Sequence, residues 1–210
     1  MIYWRGLRCA ATPQAAEAQG GGLRMTNTIV SAALLLAIAS RGSPQSGACT
    51  TMAPAAPISE VGAFSNMRYT EEHGYGETVL LWRAGSCIFG LFESAQGLQG
   101  DTPVGELRHV TYNPDTRELR FSAKLTLGIV SGPSTPPQLS RDLFTFDGTL
   151  GAGRVTGRLV HATQVDPKPV LRKIVLTASA RDAEFMRGSA TYGAWREKWE
   201  PILKRRGPKW

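Results

Sequence analysis

Cysteine is scarce. The chain has three in 210 residues, Cys9, Cys49 and Cys87, and none sits in a Cys-x-x-Cys pair. That is too few for a disulfide scaffold. Histidine is equally sparse: His73, His109 and His161 fall on separate predicted elements, so they make a metal site only if the fold gathers them. The Gly-x-Ser-x-Gly, His-Glu-x-x-His and Walker signatures are missing, which removes the strongest sequence marks of hydrolases, zinc peptidases and nucleotide binders. No cofactor motif stands out. A basic body is missing too. Of the net +7, residues 1–48 hold +3 and residues 196–210 hold +4, so 49–195 is neutral with 14 basic and 14 acidic side chains. A protein that grips phosphates needs its positive charge on the folded surface. Its placement in a leader and a tail argues against a nucleic-acid partner.

What is present is ordinary for a globular chain: 42% apolar and 20% charged residues, with 23 glycines and 13 prolines to supply turns. Ile29 to Ala39 is an uncharged run of 11 residues. A bilayer-spanning helix needs about 20, so the mature chain is expected to have no transmembrane helix. The run matches the apolar core of a signal peptide, with small-x-small cleavage candidates at Ala37-Ile38-Ala39 and Ser46-Gly47-Ala48. Residues 1–48 are therefore read as leader and signal peptide. Met25 is the better start, which makes 1–24 a misassigned start or an unusually long leader. Ser46-Gly47-Ala48-Cys49 resembles the bacterial lipoprotein box, whose cysteine is lipidated. The resemblance implies a possible lipid anchor at Cys49. The other fate open to that sulfur is a Cys49–Cys87 disulfide, since these two remain after cleavage. The expected location is exported: periplasmic, secreted, or an outer-membrane lipoprotein. Residues 49–60, with Pro54 and Pro57, read as a flexible tether.

From Val61 onward, short β-prone runs alternate with turn clusters, which predicts a mainly β domain over 61–181. Strands are expected at 63–70, 78–83, 87–94, 105–112, 118–130, 142–150, 154–162 and 171–178. The links between them include Ala84-Gly85-Ser86, Asn113-Pro114-Asp115-Thr116 and Gly151-Ala152-Gly153. Such short links force antiparallel neighbours. Leu119, Phe121, Ala123, Leu125 and Leu127 alternate with polar residues, so one face meets a core and the other water. The runs Val79-Leu80-Leu81-Trp82 and Cys87 to Phe92 are apolar on both faces, as central strands or strands under a helix would be. Over 182–210 the period changes. Trp195, Trp199, Ile202 and Leu203 form a helical stripe, with Thr191 as N-cap and Gly207-Pro208 as the stop. Pro201 should kink or divide that helix. Arg196, Lys198, Arg205 and Arg206 should face water. The architecture is an antiparallel up-and-down meander of about eight strands, a barrel or flattened barrel, with a C-terminal amphipathic helix and basic tail packed on it. This order resembles the lipocalins and related calycin barrels over most of 61–206, as architecture. Where lipocalins carry Gly-x-Trp on the first strand, this chain has Gly62-Ala63-Phe64.

Two segments are candidates for chemistry. In 70–77, Glu71 and His73 can converge while Glu72 points away, and Tyr75 lies between glycines that let a ligand approach. In 97–105, Asp101 and Thr102 sit in a long link and could orient a ligand. Both segments also read as ordinary polar turns. His109, sharing a face with Leu107, reads as a strand histidine beside the core. The functional expectation is a non-catalytic barrel in the cell envelope that binds a small molecule or an envelope protein. Two alternatives stand beside it: a metal-assisted or acid–base enzyme using the Glu71–Glu77 segment, and a loop-mediated interaction or inhibitor protein without a pocket.

Overall fold

The computed structural model describes residues 52–98, 102–132, 135–164, 166 and 168–210. The leader, the signal run, Cys9, Cys49 and Asp101 lie outside the described residues. In chain order the elements are β1 (Ser59–Ser65), β2 (Arg68–Tyr69), β3 (His73–Ala84), β4 (Cys87–Leu98), β5 (Val104–Tyr112) and β6 (Glu118–Leu125). Then come β7 (Ile129–Gly132), β8 (Thr135–Leu139), β9 (Asp142–Gly151), β10 (Arg154–Thr163), β11 (Val170–Ala178), α1 (Ala180–Met186) and α2 (Tyr192–Arg206).

The main sheet closes on itself. Its order runs β1-β11-β10-β9-β6-β5-β4-β3-β2, and β1 also pairs with β3, so that eight strands close the ring and the two-residue β2 adds to β3. Phe64 marks the closure, standing opposite Val79 on β3 and Ala178 on β11. The result is the expected eight-stranded antiparallel barrel, calycin-like in architecture. Closure leaves no sheet edge open along the part of β1 that pairs on both sides. The β1–β11 pairing covers only Phe64 and Ser65 against Ala178 and Thr177. Below it, residues 170–176 of β11 have no strand partner on that side among the described residues.

Period-2 alternation separates two cores. Val79, Leu81, Phe92, Phe121, Phe144 and Phe146 belong to the inner cluster. Their rings meet across the lumen: Phe92 and Phe144 lie 5.1 Å apart, and Phe121 and Phe146 5.0 Å. A barrel of about eight strands is just wide enough for side chains to fill, and this one is packed. The intervening residues Leu80, Trp82, Phe89 and Leu91 point outward into a second cluster with Met186, Trp195 and Trp199. Strands β3 and β4 are therefore apolar on both faces because helices cover their outer one. Trp82 meets the edges of Trp195 at 5.7 Å and Trp199 at 5.9 Å.

Several boundaries differ from the sequence reading. The strand expected over 63–70 breaks at Asn66, whose side chain accepts from the Glu77 N–H at 2.7 Å. Gly76 permits this close approach: it adopts φ +123°, and a Cβ there would stand 2.7 Å from Asn66 Oδ1. The strand expected over 118–130 ends at Leu125, and residues 129–132 and 135–139 form the separate β7–β8 hairpin. Pro136 and Pro137 suit β8 because it pairs on one side only. The helical region is two helices. α1 was not anticipated, and α2 runs through Pro201 without division. A proline loses one ladder hydrogen bond, and the docked Trp195 and Trp199 hold the turns on its N-terminal side. Residues 53–58, expected within a tether, are hydrogen-bonded to the start of α2, with Ile58 N to Ala190 O at 3.0 Å and Gly193 N to Pro54 O at 2.7 Å. His109 lies at φ +52° in the irregular stretch between Arg108 and Thr111, exposed rather than beside the core.

Candidate functional site

Of the segment 70–77, Thr70, Glu71 and Glu72 form the turn between β2 and β3, and His73, Tyr75 and Glu77 lie on β3 itself. Thr70 Oγ1 accepts from the His73 N–H at 3.0 Å, and the Thr70 N–H donates to His73 O at 2.8 Å. Glu71 and Glu72 are exposed in this turn. The rings of His73 and Tyr75 stack at 6.0 Å along the strand. Among the described residues no group of three or more His, Cys, Asp or Glu side chains is placed to hold a metal. Of the second segment, Thr102 borders a groove and Asp101 lies outside the described residues. Cys87 is disulfide-bonded, and its partner lies outside the described residues.

The groove runs between the helices and the outer wall of β3 and β4, with a volume of about 540 Å³. Leu80, Trp199 and Ile202 form an apolar floor, and Tyr69 and Phe185 stand at its border. Local sequence explains each position. On β4, Phe89, Leu91 and Glu93 share the outward face by alternation, so Glu93 extends an apolar row under the helices. On α2, Arg206 continues the stripe of Trp195, Trp199 and Ile202, and so folds onto the barrel rather than facing water. Its Nε donates to Thr102 O at 2.6 Å and its guanidinium reaches Glu93 at 3.5 Å. Lys198 is exposed, as expected, and from the surface donates to the carbonyls of Phe185 and Arg187 at 2.6 Å each, which ties off the end of α1. Arg181 lies over the Tyr69 ring at 4.6 Å.

The electrostatics are uneven. Burial pushes the Glu93 carboxyl above its ordinary value, and the neighbouring Arg206 offsets this only in part. Burial likewise raises the Tyr69 phenol, against the pull of Arg181. Sequence reasoning missed Tyr69, Glu93, Arg181 and Phe185. The legible signal was the lone carboxylate of Glu93 in phase with Phe89 and Leu91.

Two other polar clusters are structural in geometry. Asp142 accepts from His161 Nε2 at 2.8 Å, from the Ser140 hydroxyl, and from the Leu127 N–H at 3.1 Å. Ser140 gives its proton to Asp142 and not to His161, so the trio does not assemble an activated nucleophile. His161 stacks flat on Phe144 at 4.3 Å and closes one end of the packed lumen. Glu77, only 2% exposed, takes the Arg172 guanidinium at 2.6 Å and bridges β3 to β11 where β1 has ended. A wider recess of about 650 Å³ opens near Phe64 and the 151–153 turn. Alanine, glycine and backbone make up much of its wall, and the Ser179 hydroxyl there already caps α1.

Fold and groove together define a packed, closed, eight-stranded barrel with an external helical brace. Set against known proteins, the chain matches no family model, no curated protein and no solved structure.

Proposed function

We propose that this is an exported, non-catalytic binding protein of the cell envelope whose ligand sits in the groove outside the barrel, not in the lumen. One contrast carries the reading: phenylalanine rings fill the lumen, while a groove of about 540 Å³ with an apolar floor and charged rim lies under α1 and α2. Sites for small molecules usually enclose about 300–1,000 Å³, with few, convergent polar groups. The groove fits that description, and the 70–77 segment does not. A titration of 2-(1-naphthyl)ethanol followed by NMR tests it. The Trp199 indole and Ile202 methyl signals should shift, and the shifts should vanish in Ile202→Trp, which fills the groove. Shifts confined to Phe92 and Phe121 would move the site to the lumen.

A second reading, an interaction protein, is favoured by one feature. Along the unpaired stretch of β11, Leu171 and Val175 are exposed with Lys173 between them on the same outward face. An extended partner segment with aliphatic and acidic residues in alternation would suit that edge.

A further inference from the structure

Resting on the groove reading, we infer that the ligand is an organic cation: an ammonium or amidinium group carried on an aromatic or aliphatic body. The lining holds three cations and three carboxylates, and they differ in how far they are already engaged. Arg206 is held by Thr102 O and Glu93, Lys198 by two carbonyls at the end of α1, and Arg181 by the face of Tyr69. The carboxylates are not matched in the same way. Glu93 has 21% of its side chain exposed, and Arg206 at 3.5 Å is its one ion-pair partner among the described residues. That distance is too long for a good charge-assisted hydrogen bond. Asp182 and Glu184 make no ion pair among the described residues. Each cation of the groove thus has a hydrogen-bond or ring partner, whereas Asp182 and Glu184 have no ion-pair partner among the described residues.

The walls suit the same ligand. Phe185, 60% exposed, contributes aromatic surface, while the Tyr69 ring already carries Arg181 and the Trp199 ring has Lys198 at 5.6 Å. Ring faces attract cations, more strongly where water is thin. An incoming ammonium would meet a half-desolvated carboxylate at one side and the Phe185 ring at the other. An incoming carboxylate would find each guanidinium already engaged. The raised proton affinity of Glu93 agrees with this, since a buried acid without adequate counter-charge favours its neutral form.

The experiment compares three probes that share a naphthyl body: 2-(1-naphthyl)ethylamine, 2-(1-naphthyl)ethanol and 1-naphthylacetate. Each is titrated into the full chain by calorimetry, with the Trp199 indole signal reporting the place of binding. The amine should bind about tenfold more tightly than the alcohol, a difference of about 1.4 kcal/mol, and the acetate more weakly than either. Glu93→Gln should abolish the preference for the amine while leaving the alcohol within about twofold, a change well under 1 kcal/mol. Should Glu93→Gln fold poorly, Glu184→Gln at an exposed position should still narrow the preference measurably. Equal binding of amine and alcohol at Trp199, or a preference untouched by both variants, overturns the cation assignment and leaves the groove reading intact. Failure of all three probes to shift Trp199 overturns the groove itself. Competition by the tripeptide Phe-Lys-Phe separates two sources of the same chemistry: strong displacement indicates a basic side chain presented by a partner, and weak displacement a free amine.

Discussion

Glu93 and Asp142 are both withdrawn from water, and their surroundings push them in opposite directions. Burial dominates at Glu93 and raises its pKa above the ordinary 4.5. The folded state then holds that proton more tightly than the unfolded chain does, so ionisation of Glu93 opposes folding. The penalty is absent below 4.5 and accumulates as pH rises past it. Urea midpoints should therefore show Glu93→Gln gaining on the native chain between pH 4 and 7; a gap that stays constant or shrinks would contradict the assignment. At Asp142 burial also raises the pKa, but hydrogen bonds from His161, Ser140 and the Leu127 N–H outweigh it and hold the carboxyl below 3.8. Its stabilising contribution is present above 3.8 and is lost as pH falls below that value. Asp142→Asn should cost about 1.5–3 kcal/mol at neutral pH, the range for hydrogen bonds to a charged group. The deficit should close on acidification.

At the level of elements, α2 and the β9–β10 pair carry the clearest predictions. Trp199 is buried between Trp82 and the groove, and Trp199→Ala should cost about 3–5 kcal/mol by denaturation. Lys198→Glu on the same helix should act differently. It would set a carboxylate against the end of α1, costing about 0.3–1 kcal/mol. Amide exchange should quicken over 183–187 in α1 while the global midpoint moves little. Gly148 and Gly157 stand opposite each other on β9 and β10 with the Phe146 ring over both. A Cβ at Gly148 would lie 2.2 Å from Thr156 O, and one at Gly157 2.5 Å from Asp147 O. Either alanine variant should lose about 1–3 kcal/mol from overpacking. The barrel strands were legible because alternation at Leu119, Phe121 and Ala123 and the links at Gly85 and Gly153 are local signals. The helical stripe of Trp195, Trp199, Ile202 and Leu203 was legible for the same reason, whereas Arg206, expected in water, folds onto the barrel through contacts with Thr102 and Glu93 that are distant in sequence. The break at Asn66 and the β7–β8 pairing were not legible, because each depends on partners distant in sequence or on an edge position that makes proline acceptable. The groove depends on α1, a helix of 7 residues too short to leave a period.

For the whole molecule, the disulfide at Cys87 and the proposed leader set the remaining tests. Cys87 opens β4, directly opposite Ala84 across the hairpin. Removal of a native disulfide from a small exported domain typically costs about 2–5 kcal/mol. Reduction should lower the unfolding midpoint accordingly, and Cys87 should resist thiol labelling in denatured, unreduced protein. If the export proposal is right, intact mass of the envelope-fraction protein should place the first residue between Ser40 and Met52; a chain retaining residues 29–39 would sink it. A longer consequence follows from the two faces of β3. Val79 and Leu81 serve the lumen, whereas Leu80 and Trp82 serve the helices. Much of the groove rim, including Tyr69, Arg181, Glu184 and Phe185, is exposed and belongs to neither packed cluster. Mutation at the rim can then wander without disturbing the barrel. Descendants of this chain should keep their alternating apolar strands and Trp82, Trp195 and Trp199, and diverge first at the rim.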